Sequence, residues 1–271
     1  MENNSKKIGI FGVGMVGGAL KRYFESLEKY QIYLYDKKGL GSLEELNKAD
    51  FVYVCLPTPY VPGKGCDTSL IEEGVGQLSG EKVVIVKSTV VPGTTDKLQS
   101  KFPQHKFLFN PEFLTEVTAD ADMLHPDRQI VGYTKQSYNI AKDIVQQLPL
   151  APYERIVPAK VAELIKYGNN TWFAVKVAMN NELYDLAKKI GFSEDEWEET
   201  ISAMAADKRV GRTHLTVMHK GKRGYYGKCL PKDIKALLDF SKQNGVDMPV
   251  RSATNKYNDG LLNSQDLKEY I

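Results

Sequence analysis

The segment Gly224-Tyr225-Tyr226-Gly227-Lys228-Cys229-Leu230-Pro231-Lys232-Asp233 sets a cysteine between lysines, with a carboxylate four residues on. Cationic neighbours favour the thiolate, the form of cysteine that attacks a carbonyl carbon. If Pro231 opens a helix, Asp233 falls one turn from the thiol, where it can steer a water or take a proton. Cys229 is therefore a candidate nucleophile and Asp233 its candidate helper. A nucleophilic thiol suits chemistry that carries an aldehyde on to an acid. The other cysteines read differently. Cys55 lies in the apolar run Phe51–Leu56 as a small buried hydrophobe, and Cys66 sits in a Gly-Lys-Gly-Cys-Asp loop with no second motif beside it.

Two further groups have the spacing of a site. Lys166 and Asn170 stand four apart within a helical pattern, so they project from one face. An ammonium and an amide donor placed that way can hold an oxygen on which charge develops; the spacing also suits a solvent-facing pair. Near the amino terminus, Gly12-Val13-Gly14-Met15-Val16-Gly17 follows an apolar strand and opens a helix, and Asp36 ends the next strand. Gly12 permits the tight turn, Gly14 the approach of a pyrophosphate, and Gly17 close packing of helix on strand. The helix N-terminus, from Met15 and Val16 on, supplies N–H groups and a positive dipole to the phosphates. Asp36 suits the two ribose hydroxyls and repels a 2′-phosphate, favouring NAD over NADP, although Lys37 and Lys38 lie where either could meet a phosphate. NAD is the expected cofactor, and no metal is expected.

The elements that must position these groups follow from the hydrophobic pattern. Short β-rich runs are expected at Ile8–Phe11, Ile32–Tyr35, Phe51–Leu56, Val83–Lys87, Lys106–Phe109 and Gln129–Gly132. They alternate with helical segments at Val16–Lys29, Ser69–Leu78, Thr94–Lys101 and Gln136–Leu148. Such alternation predicts an α/β fold, a Rossmann-like doubly wound and mostly parallel sheet with ligands at the strand C-terminal ends. Beyond Pro149, Pro152 and Pro158 the period becomes helical, with apolar residues from Val161 to Ile190 on one long helix and more helix at Asp195–Ala206 and Lys232–Asn244. The expected division is a NAD-binding domain, residues 1–155, and an all-helical central domain, residues 156–271, whose long helix predicts a homodimer.

Composition narrows the partners. The net charge of +2 and the interspersed lysines and carboxylates give no argument for a nucleic acid, and the apolar runs are too short to span a bilayer. Three widely spaced cysteines suggest neither a disulfide framework nor a zinc site. The amino terminus runs into a strand and not a signal-peptide core. A reduced, cytoplasmic protein is expected.

Several segments, in order, resemble one family. They are Val54-Cys55-Leu56-Pro57-Thr58-Pro59; Lys87-Ser88-Thr89-Val90-Val91-Pro92-Gly93-Thr94-Thr95; Asn110-Pro111-Glu112-Phe113-Leu114-Thr115-Glu116 followed by Pro126–Gly132; Ala162-Glu163-Leu164-Ile165-Lys166 with Asn169-Asn170; and the Cys229 segment. Together they resemble the UDP-glucose/GDP-mannose dehydrogenase family. The resemblance implies NAD-dependent, four-electron oxidation of a nucleotide-sugar primary alcohol to the acid through a thioester on Cys229. It implies Thr89, Lys166 and Asp233 around the sugar hydroxyl, Lys166 and Asn170 at the oxyanion, and Glu112 or Asp233 activating water. It further implies Thr58, Thr89 and Glu116 as cofactor contacts, Phe113, Leu114 and Gly227 as substrate contacts, and Arg209 reaching a neighbouring subunit's substrate.

Some features depart from the family pattern. The sequence ends at Ile271, which implies no chain for the second α/β domain that grips the nucleotide in such proteins. Tyr226 replaces a glycine. The connection after Asp36 is short. His219, Lys220, Lys222 and Arg223 form a basic loop that suits a phosphate or plain solvent equally. Two alternatives stay open: a two-electron β-hydroxyacid-type dehydrogenase, and a cofactor-binding subunit that needs a partner.

Overall fold

In the computed structural model the described residues are 6–270; the reading of the amino terminus as leaderless falls largely on residues 1–5, outside them. The chain divides into two compact units, Met1–Pro59 with Asp67–Lys166, and Tyr60–Cys66 with Tyr167–Ile271. Strands run β1 (Lys7–Phe11), β2 (Gln31–Asp36), β3 (Leu40–Gly41), β4 (Phe51–Val54), β5 (Tyr60–Val61) and β6 (Gly65–Cys66). Then follow β7 (Val83–Val86), β8 (Lys106–Phe109), β9 (Arg128–Tyr133), β10 (Tyr153–Pro158), β11 (Met218–His219) and β12 (Lys222–Arg223). The first helices are α1 (Met15–Ser26), α2 (Leu43–Leu46), α3 (Ser69–Gly76), α4 (Thr94–Lys101), α5 (Ala119–Leu124) and α6 (Ala141–Val145). The remainder are α7 (Ala159–Lys189), α8 (Glu194–Ala206), α9 (Leu230–Gln243) and α10 (Pro249–Ser264).

The first unit is a Rossmann-like sheet in the order β10-β9-β8-β7-β4-β1-β2-β3. Its central pairs are parallel, whereas β3 on β2 and β9 on β8 run antiparallel. The short apolar runs are buried on both faces, as a sheet covered by helices requires. Val52, Val54, Val84, Val86, Phe107 and Phe109 pack into one core cluster, and Tyr53, Ile85 and Leu108, which alternate with them, pack into another. All six expected strands form. Edge strands β3 and β10 were not foreseen, and the helix expected over Gln136–Leu148 is a 3₁₀ turn at Tyr138–Ile140 followed by the short α6.

The second unit is largely helical, with two small ribbons, β5–β6 and β11–β12. Tyr60 donates its hydroxyl to Asp239 Oδ2 (3.0 Å), tying the β5–β6 ribbon to α9 although its sequence lies among the sheet strands. The expected long helix is α7; α10 was not foreseen. Among the described residues no helix is long and apolar enough to cross a membrane.

Candidate active site

In the first unit the loop between β1 and α1 is built by its glycines. Gly12 has φ +88°, a left-handed conformation suited to glycine, and its N–H donates to Tyr35 O (2.8 Å). A Cβ on Gly17 would lie 2.0 Å from Gly12 O and 3.0 Å from Gly12 C, whereas one on Gly14 would meet nothing within 4 Å. Gly17→Ala is therefore expected to cost about 1–3 kcal/mol of stability and to weaken NAD binding at least about tenfold. Thermal unfolding and a fluorescence titration check both.

Asp36 does more than end β2. Its Oδ1 accepts from Lys38 N and its Oδ2 from Val13 N, each at 2.8 Å, so the carboxylate braces the glycine loop. These N–H groups, Lys38 first and then Val13, hold the carboxyl below its ordinary value. Each oxygen keeps a lone pair for a ribose hydroxyl.

No side chain caps the start of α1, and Gly14, Met15 and Glu116 border a cleft of about 530 Å³. Free helix N–H groups, an open Gly14 and an acceptor at Asp36 fit a dinucleotide. Thr58 and Thr89 lie on neighbouring loops clamped together: Thr58 Oγ1 donates to Thr89 O (2.7 Å), and Ser88 Oγ to Leu56 O (2.6 Å).

The same unit holds a buried ion pair. Lys166 Nζ donates to Glu112 O (2.7 Å) and to Glu112 Oε1 (2.8 Å), while Leu114 N donates to Glu112 Oε2 (2.7 Å). Burial pushes the Glu112 carboxyl up, but Lys166, the Leu114 N–H and Lys87 more than reverse this and hold it below its ordinary value. Phe113 lies 3.9 Å beneath the Arg128 guanidinium. The backbone N–H of Leu114, one of the expected substrate contacts, is thus engaged by Glu112. Cys55, expected to be buried, is only partly so, and desolvation pushes its thiol up to about 12.

Glu163, on α7, was quoted in a motif without a role. It is fully buried and accepts from Gly93 N (2.6 Å), Thr95 N (2.8 Å) and Thr95 Oγ1 (2.7 Å). It thus caps α4 and anchors the loop that carries Thr89. A charge one turn from Ala159 and from Tyr167 on α7, both buried, is the sequence signal for it.

In the second unit Cys229 is the exposed N-cap of α9, with Pro231 in the first turn. Asp233, fully buried, accepts from Asn170 Nδ2 (2.6 Å) and pairs with Lys232. Burial pulls Lys232 down, but Asp233, then Cys66 and Cys229, more than reverse this and raise it. The structure thus brings Asn170, Asp233 and the Cys229 turn together.

Gly224 and Gly227, at φ +81° and +89°, are where this turn needs glycine; Tyr226 is not at positive φ and hydrogen-bonds through its hydroxyl to His219 O. Asn258 on α10 fastens the turn, accepting from Tyr225 N (2.8 Å) and donating to Tyr225 O (2.9 Å). Nothing in the sequence reading pointed to Asn258. Arg209 lies beyond α8, 91% exposed and paired with Asp207 at 2.6 Å.

The sheet, glycine loop and braced acid define a dinucleotide-binding unit of the dehydrogenase type. The NAD-binding profile of the UDP-glucose/GDP-mannose dehydrogenase family matches residues 40–149, and that family's central-domain profile matches residues 160–260. The chain belongs to this family and carries its NAD-binding domain.

It is 32% identical over 250 residues to the UDP-glucose 6-dehydrogenase of Rickettsia bellii, covering 87% of this chain and 56% of that one. The chain spans about half the length of the curated relatives it first matches. The UDP-glucose dehydrogenase from the archaeon Pyrobaculum islandicum has the same fold (TM-score 0.82, 24% identity, 99% of this chain and 72% of that one). So does 3-hydroxyisobutyrate dehydrogenase of Mycobacterium tuberculosis (TM-score 0.70, 17% identity, 93% and 92%).

Proposed function

We propose that this chain oxidises the primary alcohol of a nucleotide sugar to the carboxylate, in the manner of UDP-glucose to UDP-glucuronate, through a thioester on Cys229. Residues 1–155 would hold NAD and residues 156–271 supply the nucleophile. The observation that carries the reading is an exposed thiol at a helix N-terminus, one turn before a buried Asp233 that Asn170 and Lys232 hold in place. A two-electron dehydrogenase has no task for that thiol.

When held by the Gly12–Gly17 loop and Asp36, NAD would supply the hydride acceptor for both oxidations, one equivalent for each. Thr89 and Lys166 would act around the sugar hydroxyl, and Asp233 would receive its proton, directly or through a water. The Cys229 thiolate, favoured by Lys232 and the N-terminus of α9, adds to the aldehyde carbon. Two of the three Lys166 donors go to Glu112, leaving one to meet the oxyanion together with the second N–H of Asn170. A water then loses its proton to Glu112 or Asp233 and attacks the thioester carbon. The C–S bond breaks, returning the thiolate and releasing the carboxylate. Phe113, Leu114 and Gly227 hold the substrate by backbone groups, and Glu116 and Thr58 the cofactor.

The test is a count. With NAD and UDP-glucose, then other sugar nucleotides and hydroxyacids, two NADH per substrate consumed support the reading. One NADH would mark a two-electron β-hydroxyacid-type dehydrogenase. NAD binding without turnover would mark a cofactor-binding subunit that needs a partner.

Trp172, Met179, Leu183 and Leu186 are exposed along α7 at helical spacing, with exposed Ile190 just beyond its end. A stripe of this kind supports a homodimer, in which exposed Arg209 would exchange its Asp207 partner for the neighbour's substrate. Light scattering at micromolar concentration is expected to give twice the chain mass.

A further inference from the structure

Lys87 follows the four apolar residues of β7 and is 4% exposed. Its Nζ donates to Asn110 Oδ1 (2.6 Å) and more distantly to Asn110 O (3.4 Å). Asn110 is fully buried; its Nδ2 donates to Ile130 O (2.9 Å) and its N to Val86 O (2.9 Å). The ammonium is therefore fixed where β7 and β8 end, beside the first half of the antiparallel β9, against the residue that opens the turn to Glu112. Its hydrogen bonds go to amide oxygens and not to a carboxylate. An ammonium buried this way is costly, so its presence asks for a function.

The ionisable groups that face it are Cys55 at the end of β4, Glu112 beyond β8 and Lys166 on α7. Cys55 stays a neutral thiol, so Glu112 is the anion that Lys87 acts on. Lys166 repels Lys87 and shares its effect on that carboxylate.

We infer that Lys87 is a positioning residue for Glu112, fixing the Asn110–Glu112 turn through Asn110 and acting with Lys166 as a buried cation toward the Glu112 side chain. The inference rests on the proposed role of Glu112 as the base toward water. It adds a control on that base: burial brings Lys87 down to about 8, and where Lys87 is neutral Glu112 is the stronger base.

The test titrates the holoprotein labelled with [δ-13C]glutamate by NMR, with Glu112→Gln assigning the resonance. In Lys87→Met, Glu112 is expected to bind its proton about tenfold more tightly than in the wild type. With substrate, the acid limb of the kcat profile is expected to move to higher pH by the same factor, while KM stays within about twofold. A purely structural residue would lower kcat without moving that limb. Lys87→Arg, which keeps the charge, is expected to restore the wild-type midpoint.

A folded Lys87→Met protein whose Glu112 midpoint is unmoved overturns the inference. If that variant does not fold, [ε-13C]lysine NMR of the unaltered protein decides, with Lys87 identified by its contact to the Asn110 amide. Titration together with the surface lysines would overturn it. The NMR arms need no substrate, so absence of turnover counts against the proposed function and leaves this result standing.

Discussion

In Cys229→Ala, NADH released per nucleotide sugar consumed is expected to fall from two to one or fewer. The complete oxidation should slow by at least about 10³-fold, roughly 4 kcal/mol of transition-state stabilisation. The first oxidation needs a group to take the alcohol proton and an acceptor for hydride. The second needs a tetrahedral carbon that still carries a hydrogen and an oxyanion. Addition of the thiolate to the aldehyde creates that carbon, and alanine leaves only slow hydration in its place.

The position makes the experiment clean. Cys229 is exposed and caps α9 through its backbone, with no side-chain cap. Its loss should leave stability within about 0.5 kcal/mol, so a large kinetic effect would not be misfolding. A hydrazide trap added to the reaction should capture the stalled aldehyde. Two equivalents of NADH at an unchanged rate would remove Cys229 from the mechanism, and the four-electron reading with it.

What could be read from the sequence depended on whether the information was local. The glycine loop was legible because its spacing, the strand before it and Asp36 after the next strand lie within one short βαβ stretch. Cys229 and Asp233 were legible because Pro231 opens a helix between them. The braces were less so. Glu163 caps α4 from seventy residues away, and Lys87 meets Asn110 at the end of the neighbouring strand, 23 residues on, so each showed only as a charge in an apolar setting.

α10 was missed for another reason. Its buried stripe is Thr254, Asn258 and Leu262, a helical period written mostly in polar residues. Hydrophobic periodicity had nothing to register there, although Asn258 holds the turn that leads to Cys229. β10 is an edge strand with most of its residues exposed, so it shows no alternation. The i,i+4 spacing of Lys166 and Asn170 put them on one helix, as α7 has them, but their carboxylate partners, Glu112 and Asp233, are long-range contacts that spacing alone does not encode.

Lys166→Met is expected to lower the unfolding free energy by about 3–5 kcal/mol at pH 7, because removing one member of a buried pair strands the other charge. Both side chains are under a tenth exposed, at 5% and 9%, so solvent does little to screen the loss. Turnover should fall at least about 10²–10³-fold through loss of the oxyanion donor. The stability effect should depend on pH in a definite direction. The wild-type Glu112 carboxyl is more acidic folded than unfolded. Its contribution to stability is therefore present above the ordinary glutamate range and fades as the pH falls through the lower folded-state value. Without Lys166, burial has less to oppose it and Glu112 takes up a proton more readily. The gap between variant and wild type should then be widest near neutrality and narrow toward pH 4. Adding Glu112→Gln to Lys166→Met should recover about 1–3 kcal/mol at pH 7, since the second change removes the stranded charge. Urea unfolding of the four proteins at pH 4 and pH 7 measures both effects. A gap that does not change with pH, together with additive single effects, would mean that Glu112 and Lys166 do not act as a charged pair, and Glu112 would then have no cation fixing its basicity from that side.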